Sequence, residues 1–191
     1  MGEPRRLSRQ YDVPRKLWDK RKIISDKKLT KEFGLKSKKE IWKAETKVRI
    51  LRKLARNLLA GNVDNYELRK NELLNKLINL GVFTKEHKLE DVLKLQSIDY
   101  LERRLQTQVL RKGLSLTANQ SRQLIIHKHI AVNGRVRNAP SSLITINDTI
   151  SYSNSKIKDI IDKQIESKGK STVVDKKSED AAKTVENKVW I

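Results

Sequence analysis

No cysteine occurs in the 191 residues, which removes disulfides, thiolate chemistry and every cysteine-ligated metal site. Aromatic side chains are scarce at 5% of the chain. They are also scattered, as Tyr11, Trp18, Phe33, Trp42, Tyr66, Phe83, Tyr100, Tyr152 and Trp190. Single-strand nucleic-acid binders gather aromatics on a platform where bases stack, so stacking is not the expected mode of recognition. No stretch approaches the roughly 18 consecutive apolar residues of a spanning helix, and Met1 to Gln10 has no apolar run of the secretory kind. An intracellular chain without a membrane partner is therefore expected. His87, His127 and His129 are the only histidines, and two ligands in a His-Lys-His run without carboxylate support make a poor metal site. No phosphate-cradling G-x-x-x-x-G-K-[ST] loop, G-x-S-x-G elbow or H-E-x-x-H pair occurs. Neither a metal, a cofactor nor catalysis is expected.

Positive charge, by contrast, is in excess. Lys and Arg number 43 against 23 Asp and Glu, for a net charge of +20 and a pI near 10.2. Such a field repels itself unless a polyanion neutralises it, and nucleic acid is the default polyanion. The charge is uneven. Residues 1–60 hold 20 basic and 7 acidic side chains, 61–100 hold 6 and 7, 101–160 hold 10 and 3, and 161–191 hold 7 and 6. Two basic zones separated by a neutral one predict two RNA-contacting surfaces on a scaffold whose middle packs against protein.

Local signals divide the chain into four parts. Residues 1–62 read as a basic arm and helices, with Arg5, Arg6 and Arg9 in an extended segment that orders only on its partner. Arg15 and Lys16 lead into a helix-compatible stretch ending near Gly34. Ser37 and Glu40 form an S-x-x-E capping box, in which each side chain satisfies a free amide at a helix start. In the helix opened by this box, Ile41, Ala44, Val48, Leu51, Ala55 and Leu58 recur at steps of three and four as one apolar stripe. Around it stand Lys43, Lys47, Arg49, Arg52, Lys53 and Arg56, and after Glu45 no acid intervenes before Asp64. Solvated helix surfaces usually mix signs, so this rim favours RNA contact over mere solvation. Residues 63–96 read as helical scaffold: Asp64 and Glu67 cap a third helix whose Leu68, Leu73, Leu74, Leu77, Ile78 and Leu80 predict burial. Leu89, Val92, Leu93 and Leu95 form a shorter helical segment, and Ser97 caps the next helix.

Residues 97–155 carry the most specific signals. Leu101, Leu105 and Val109 stand four apart on one predicted helix, with Arg103, Arg104, Arg111 and Lys112 on its other faces and Gly113 as its left-handed stop. Thr117 and Gln120 form a T-x-x-Q capping box for a helix with Leu124 and Ile125 inside and Arg122, Gln123, His127 and Lys128 outside. A DNA-binding helix-turn-helix shares that spacing. The hairpin after the second helix argues against it: Ile130 to Val132 run into Asn133-Gly134, the strongest short hairpin signal, and Arg135 to Arg137 return. Leu143 to Ile146 and Thr149 to Tyr152 predict further short β segments. The fold class is α+β, with a mainly helical N-terminal region and a small RNA-binding domain of two helices and a short sheet. The polar faces of the two helices and the hairpin tip should make one basic concave edge suited to structured RNA.

These residues resemble a known family. L-E-R-R-L-Q-T-Q-V-L-R-K-G at Leu101 to Gly113 and S-R-Q-L-I-I-H-K-H-I-A-V-N-G-R at Ser121 to Arg135 are similar to the RNA-binding domain, of alpha-L type, of small-subunit ribosomal protein four in its archaeal and eukaryotic form. Upstream, V-P-R-K-L-W at Val13 to Trp18, W-K-A-E-T-K-V-R at Trp42 to Arg49 and L-N-K-L-I-N-L-G at Leu74 to Gly81 extend the likeness over roughly residues 1 to 155. The resemblance implies a primary rRNA-binding protein that nucleates assembly of the small-subunit body. It implies a place near the path by which mRNA enters, and an effect on decoding accuracy through neighbouring ribosomal protein five. By matched position, Arg103, Arg104, Arg122, Gln123, His127, Lys128 and Arg135 should lie on the RNA face. The N-terminal cysteine knuckle of many bacterial members is absent, and residues 156–191 show no family pattern. There the sequence predicts one amphipathic helix through Ile157, Ile160, Ile161 and Ile165 and a polar tail, with Val189, Trp190 and Ile191 apolar enough to dock on a neighbour. An RNA-modifying enzyme that borrows the same module would need a catalytic domain, and residues 1–95 show none.

Overall fold

The computed structural model describes residues 9–61, 65–83 and 87–154. Arg5, Arg6, the capping residue Asp64 and the helix and tail expected after Ser155 lie outside the described residues.

Helix α1 (Lys20–Glu32) opens where the Asp19 carboxylate accepts the Arg21 N–H at 3.0 Å, and it closes before Gly34, whose φ of +58° no side chain adopts cheaply. Helix α2 (Lys38–Leu59) is the central beam. All six residues of its predicted stripe are buried, each large aliphatic contributing about 1.5–3 kcal/mol relative to exposure. The predicted capping box does not form: Ser37 sits at the N-cap, but its hydroxyl makes no capping bond, and Glu40 is turned instead toward Arg104 and Arg122.

Helix α3 (Tyr66–Asn79) packs on α2, yet only Leu73 and Leu77 are buried, and Leu68 is 61% exposed. The expectation of a buried helix fails because α2 and the segment after α3 cover one side only, leaving Glu67, Arg69, Glu72 and Lys76 in solvent or at the rim. The segment Leu89–Lys94 is a 3-10 helix rather than an α-helix, opened by the Asp91 carboxylate on the Lys88 N–H at 3.1 Å. Leu89, Val92 and Leu95 complete a core with Val48, Leu51, Ala55, Leu58, Leu73 and Leu77.

The helix predicted over Leu101 to Gly113 is two helices. α4 (Ser97–Glu102) starts at Ser97 itself, and its cap is Gln96, whose N–H donates to the Asp99 carboxylate at 2.7 Å. α5 (Leu105–Arg111) comes after a break in which Arg104 is extended, with φ −75° and ψ 145°. The cause is distant in sequence: the Leu105 and Gln106 N–H groups donate to the carbonyls of Ser142 and Pro140 at 2.8 and 3.2 Å, and Arg104 bridges Leu143. Leu101 therefore packs with Phe33, Leu35, Ile41 and Ala44, whereas Leu105 and Val109 pack with Leu124, Ile125, Ile130, Val132 and Ile144. Gly113, at φ +73°, ends α5 as predicted, and the Leu114 N–H closes the motif on the Val109 carbonyl.

Helix α6 (Ala118–Ile126) is capped by Thr117, whose hydroxyl accepts the Gln120 N–H at 3.2 Å; the Gln120 side chain takes the Leu116 N–H at 2.8 Å. Strands β1 (Ile130–Val132), β2 (Arg135–Val136) and β3 (Ile150–Tyr152) form an antiparallel sheet in the order β2-β1-β3. Asn133 and Gly134 both have positive φ, 52° and 75°, in the two-residue turn between Val132 and Arg135. The predicted β segment at Leu143 to Ile146 is not a strand; it contributes the bridge to Arg104 and lies against the end of α3, with the Ile146 N–H on the Asn79 carbonyl at 3.0 Å.

Candidate nucleic-acid interface

At about 100° per residue, the rim of α2 falls into two flanks of its apolar stripe. Glu45, Arg49, Arg52 and Arg56 lie on one flank, Lys43 and Lys47 on the other, and Lys53 on the face opposite the stripe. The arm runs between the two flanks. The Tyr11 ring lies 5.9 Å from Trp42, the Asp12 N–H donates to the Thr46 hydroxyl at 3.0 Å, and the Asp12 carboxylate pairs with Arg49. The end of the arm, at Tyr11 and Asp12, is thus held by the protein itself, with Asp12 supplying the opposite charge that fixes it; residues 1–8 of the arm, expected to order only on a partner, lie outside the described residues. Arg9 reaches over the Tyr11 ring at 5.5 Å, while Arg15 and Lys16 are exposed in the turn before α1.

On the first flank a groove of about 620 Å³ is lined by Lys22, Arg49, Arg52, Arg56 and Lys94, with Asp12 and Glu45 as its acids. Lys22 bonds Glu45 at 3.1 Å and Arg49 is held by Asp12, so Arg52 and Arg56 are left without an ion pair among the described residues. Inside this region Asp26 is buried, and burial pushes its carboxyl above the usual carboxylate range, against the opposing pull of Lys22.

At the junction with α4 and α5 two adjacent arginines are engaged inside the protein. Arg104, expected on the RNA face, is 4% exposed, and its Nη2 donates to Glu40 Oε2 at 2.5 Å. Arg122 Nη1 lies 3.4 Å from the other Glu40 oxygen. Arg103 turns the other way, its Nη2 3.4 Å from the Ile144 carbonyl and its guanidinium against Gly81 at the end of α3. Beside them Gln106, fully buried, donates from Nε2 toward the carbonyls of Phe33, Gly34 and Ala118 at 3.2, 2.8 and 2.9 Å. Arg104 is therefore a junction residue, buried where an RNA-facing side chain was expected.

A further set of exposed side chains is spread over the end of α5, α6 and the hairpin. Lys112, Gln123, His127, Lys128 and Arg135 are all exposed, and His127 stacks on His129 with ring centroids 6.1 Å apart. Arg111 is tied to Glu102 at 2.7 Å, which raises its already high pKa through that hydrogen bond. Thr117 and Gln120 serve the α6 cap. The hairpin end is fixed by Asp148, which accepts the Thr145 N–H and the Asn133 amide at 2.8 and 2.7 Å. The first of these bonds, more than any other cause, holds the Asp148 carboxyl below its usual range. Sequence reasoning passed over Arg137, exposed and two residues beyond Arg135; the period of two along a strand would have paired them.

The S4 domain family matches residues 103–150, from the break before α5 to the start of β3. Over 155 residues the chain is 46% identical to the small ribosomal subunit protein uS4 of Methanococcus aeolicus, covering 80% of this chain and 88% of the relative. It is 42% identical over 144 residues to uS4 of Methanosphaera stadtmanae, covering 75% and 79%. The same identity and length hold for uS4 of Methanothermobacter thermautotrophicus, covering 75% and 84%. Identity at this level across both the helical region and the S4 domain places the chain in the uS4 family of small ribosomal subunit proteins.

Proposed function

We propose that this protein is a structural constituent of the small ribosomal subunit in the cytoplasm, binding rRNA through phosphates and shape rather than through stacked bases. Membership in a family of ribosomal proteins makes it a structural protein and not an enzyme. The observation that carries the RNA reading is a set of cations to which no described carboxylate is paired. Among the described residues, Lys47, Arg52, Lys53, Arg56, Lys112, Lys128 and Arg135 have no ion pair. Phosphates are the complement of such a set. Residues 97–155 serve as the RNA-binding domain, 63–96 as its scaffold and 1–62 as a second basic surface.

The finer role rests on the family resemblance: nucleation of the body of the subunit by holding a helical junction near the 5′ part of the rRNA. Contact with neighbouring ribosomal protein five, near the path of incoming mRNA, would support translational accuracy. Sedimentation of lysate on sucrose gradients at low and high salt tests the assignment. Persistence in the small-subunit fraction at high salt is expected; a chain that runs free at both salts overturns it.

A further inference from the structure

Between α2, the break before α5 and the N-terminal half of α6 lies a cleft of about 370 Å³, in which Lys43, Lys47, Arg104 and Arg122 face, among the described residues, a single carboxylate, Glu40. We propose that this cleft seats one phosphate group of the bound RNA, held by Lys43, Lys47, Arg122 and the Ser141 hydroxyl, with the Glu40–Arg104 pair as its floor. The proposal deepens the RNA-binding reading and rests on it.

Three observations converge. Among the described residues Glu40 is the cleft's only acid, and both its oxygens are engaged, Oε2 by Arg104 at 2.5 Å and Oε1 by Arg122 at 3.4 Å. It can therefore orient Arg122 but cannot neutralise the two lysines. Lys43 and Lys47 are exposed, have no ion pair among the described residues and stand one helical turn apart, the spacing at which two side chains reach a common anion. Arg122 is only loosely held, since its Nη1 lies 3.4 Å from Glu40 and 3.4 Å from the Gln106 amide oxygen. Behind it the buried Arg104 Nε–H has no hydrogen-bond partner, so the floor too has a surplus of donors. A backbone phosphate carries its charge on two non-bridging oxygens set tetrahedrally about phosphorus, so it can accept from donors arriving from α2, α6 and the Pro140–Ser141 lip at once. Because Arg104, Arg122 and Ser141 belong to the S4-matched segment and the lysines to α2, the site is complete only while the two parts are docked. A phosphate there would fix the register of RNA across their junction.

The test uses the full chain and a transcript of the 5′ part of small-subunit rRNA. For wild type and Lys43→Ala/Lys47→Ala, the dependence of affinity on salt and the phosphates whose ethylation blocks binding are measured, with thermal melts to verify folding. The expected result is an unchanged melt and a log–log salt slope shallower by about 0.7–0.9, the value of one phosphate. One ethylation site that blocks wild type should cease to matter in the variant. An unchanged slope and interference pattern in the variant, beside normal wild-type binding, overturns the cleft and leaves the RNA-binding reading standing. Failure of wild type to bind the transcript removes that reading and the proposal together. A variant that binds rRNA normally but loses affinity for polyglutamate would assign the cleft to an acidic protein and overturn the proposal.

Discussion

The rim of α2 and the pair Arg103–Arg104 are alike in composition and opposite in use. Both are dense in arginine and both flank buried leucines, yet Arg52 and Arg56 have no ion pair among the described residues, while Arg104 is buried on Glu40 and Arg103 is lodged against Gly81. The difference lies in what the fold brings to each. Glu40 arrives from 64 residues away to meet Arg104, whereas the acids available to the α2 rim, Asp12 and Glu45, are taken by Arg49 and Lys22. Positive charge in this chain thus stands in two states, bound to the protein's own acids at the junction and unpaired on the rim, and on the proposed reading the unpaired cations meet the polyanion. Substitutions at the junction should act on stability, and substitutions on the rim should act on RNA affinity.

The largest effect is expected at Gly34. It has φ +58°, and an added Cβ would stand 2.7 Å from the Ala118 Cβ and 2.8 Å from Gln106 Nε2. Gly34→Ala adds a left-handed penalty of about 1–2 kcal/mol to an overpacking cost of about 1–3 kcal/mol, so urea melts should show a loss of about 2–5 kcal/mol. Gly113 is the control. It shares the positive φ but has nothing within 4 Å, so Gly113→Ala should show the conformational penalty alone. Equal losses at the two glycines would mean that the α1–α6 contact through Gln106 does not hold the junction.

Next comes Arg104→Ala, which strips Glu40 of its short partner while leaving the longer contact to Arg122. Breaking a buried pair costs about 3–5 kcal/mol, and the surviving contact and the partial exposure of Glu40 reduce this to about 2–3 kcal/mol. The double variant with Glu40→Gln should recover part of the loss, since the uncompensated charge is then gone. A melt within about 0.5 kcal/mol of wild type would place Arg104 with the rim arginines and erase the contrast.

Much of this was legible locally, and the remainder depends on distant partners. The α2 stripe, the Asn133-Gly134 turn, the Gly113 stop and the Thr117 cap come from spacing and from which residues tolerate positive φ. The break between α4 and α5 has no proline or glycine to announce it, because carbonyls of Pro140 and Ser142 replace intrahelical acceptors. Glu40 reads as half of a capping box for the same reason: sequence offers it Ser37 three residues away, and only the fold offers it Arg104 and Arg122. The rim of α2 was visible as a basic surface, but the anchoring of the arm along it through Tyr11 and Asp12 was not.

A smaller effect should appear at the hairpin end, where pH gives the readout. The folded pKa of Asp148 is depressed, chiefly by the Thr145 N–H. Its stabilising contribution is therefore fully present above the ordinary carboxylate value of about 3.9 and is lost as pH falls through the lower folded value. Asp148→Ala should cost about 1–2 kcal/mol at neutral pH: two hydrogen bonds to a charged acceptor are lost, each worth about 1.5–3 kcal/mol when buried, and solvent at this partly exposed turn screens most of that. It should also flatten part of the stability decline below about pH 4. Only part should vanish, since Asp91 is lowered as well, first by its hydrogen bond from Lys94.

The smallest effect on stability is expected on the exposed rim of α2, where Lys53→Ala/Arg56→Ala removes two exposed cations with no ion pair among the described residues. Surface changes of this kind stay within about 0.5 kcal/mol. If these side chains meet RNA, the log–log salt slope should become shallower by about 0.7–0.9 for each phosphate lost, with the melt unmoved. That is the mirror image of Arg104→Ala. A double variant that melts early but keeps its salt slope would show that α2 needs its rim for folding, and the division of labour between junction and rim would fall.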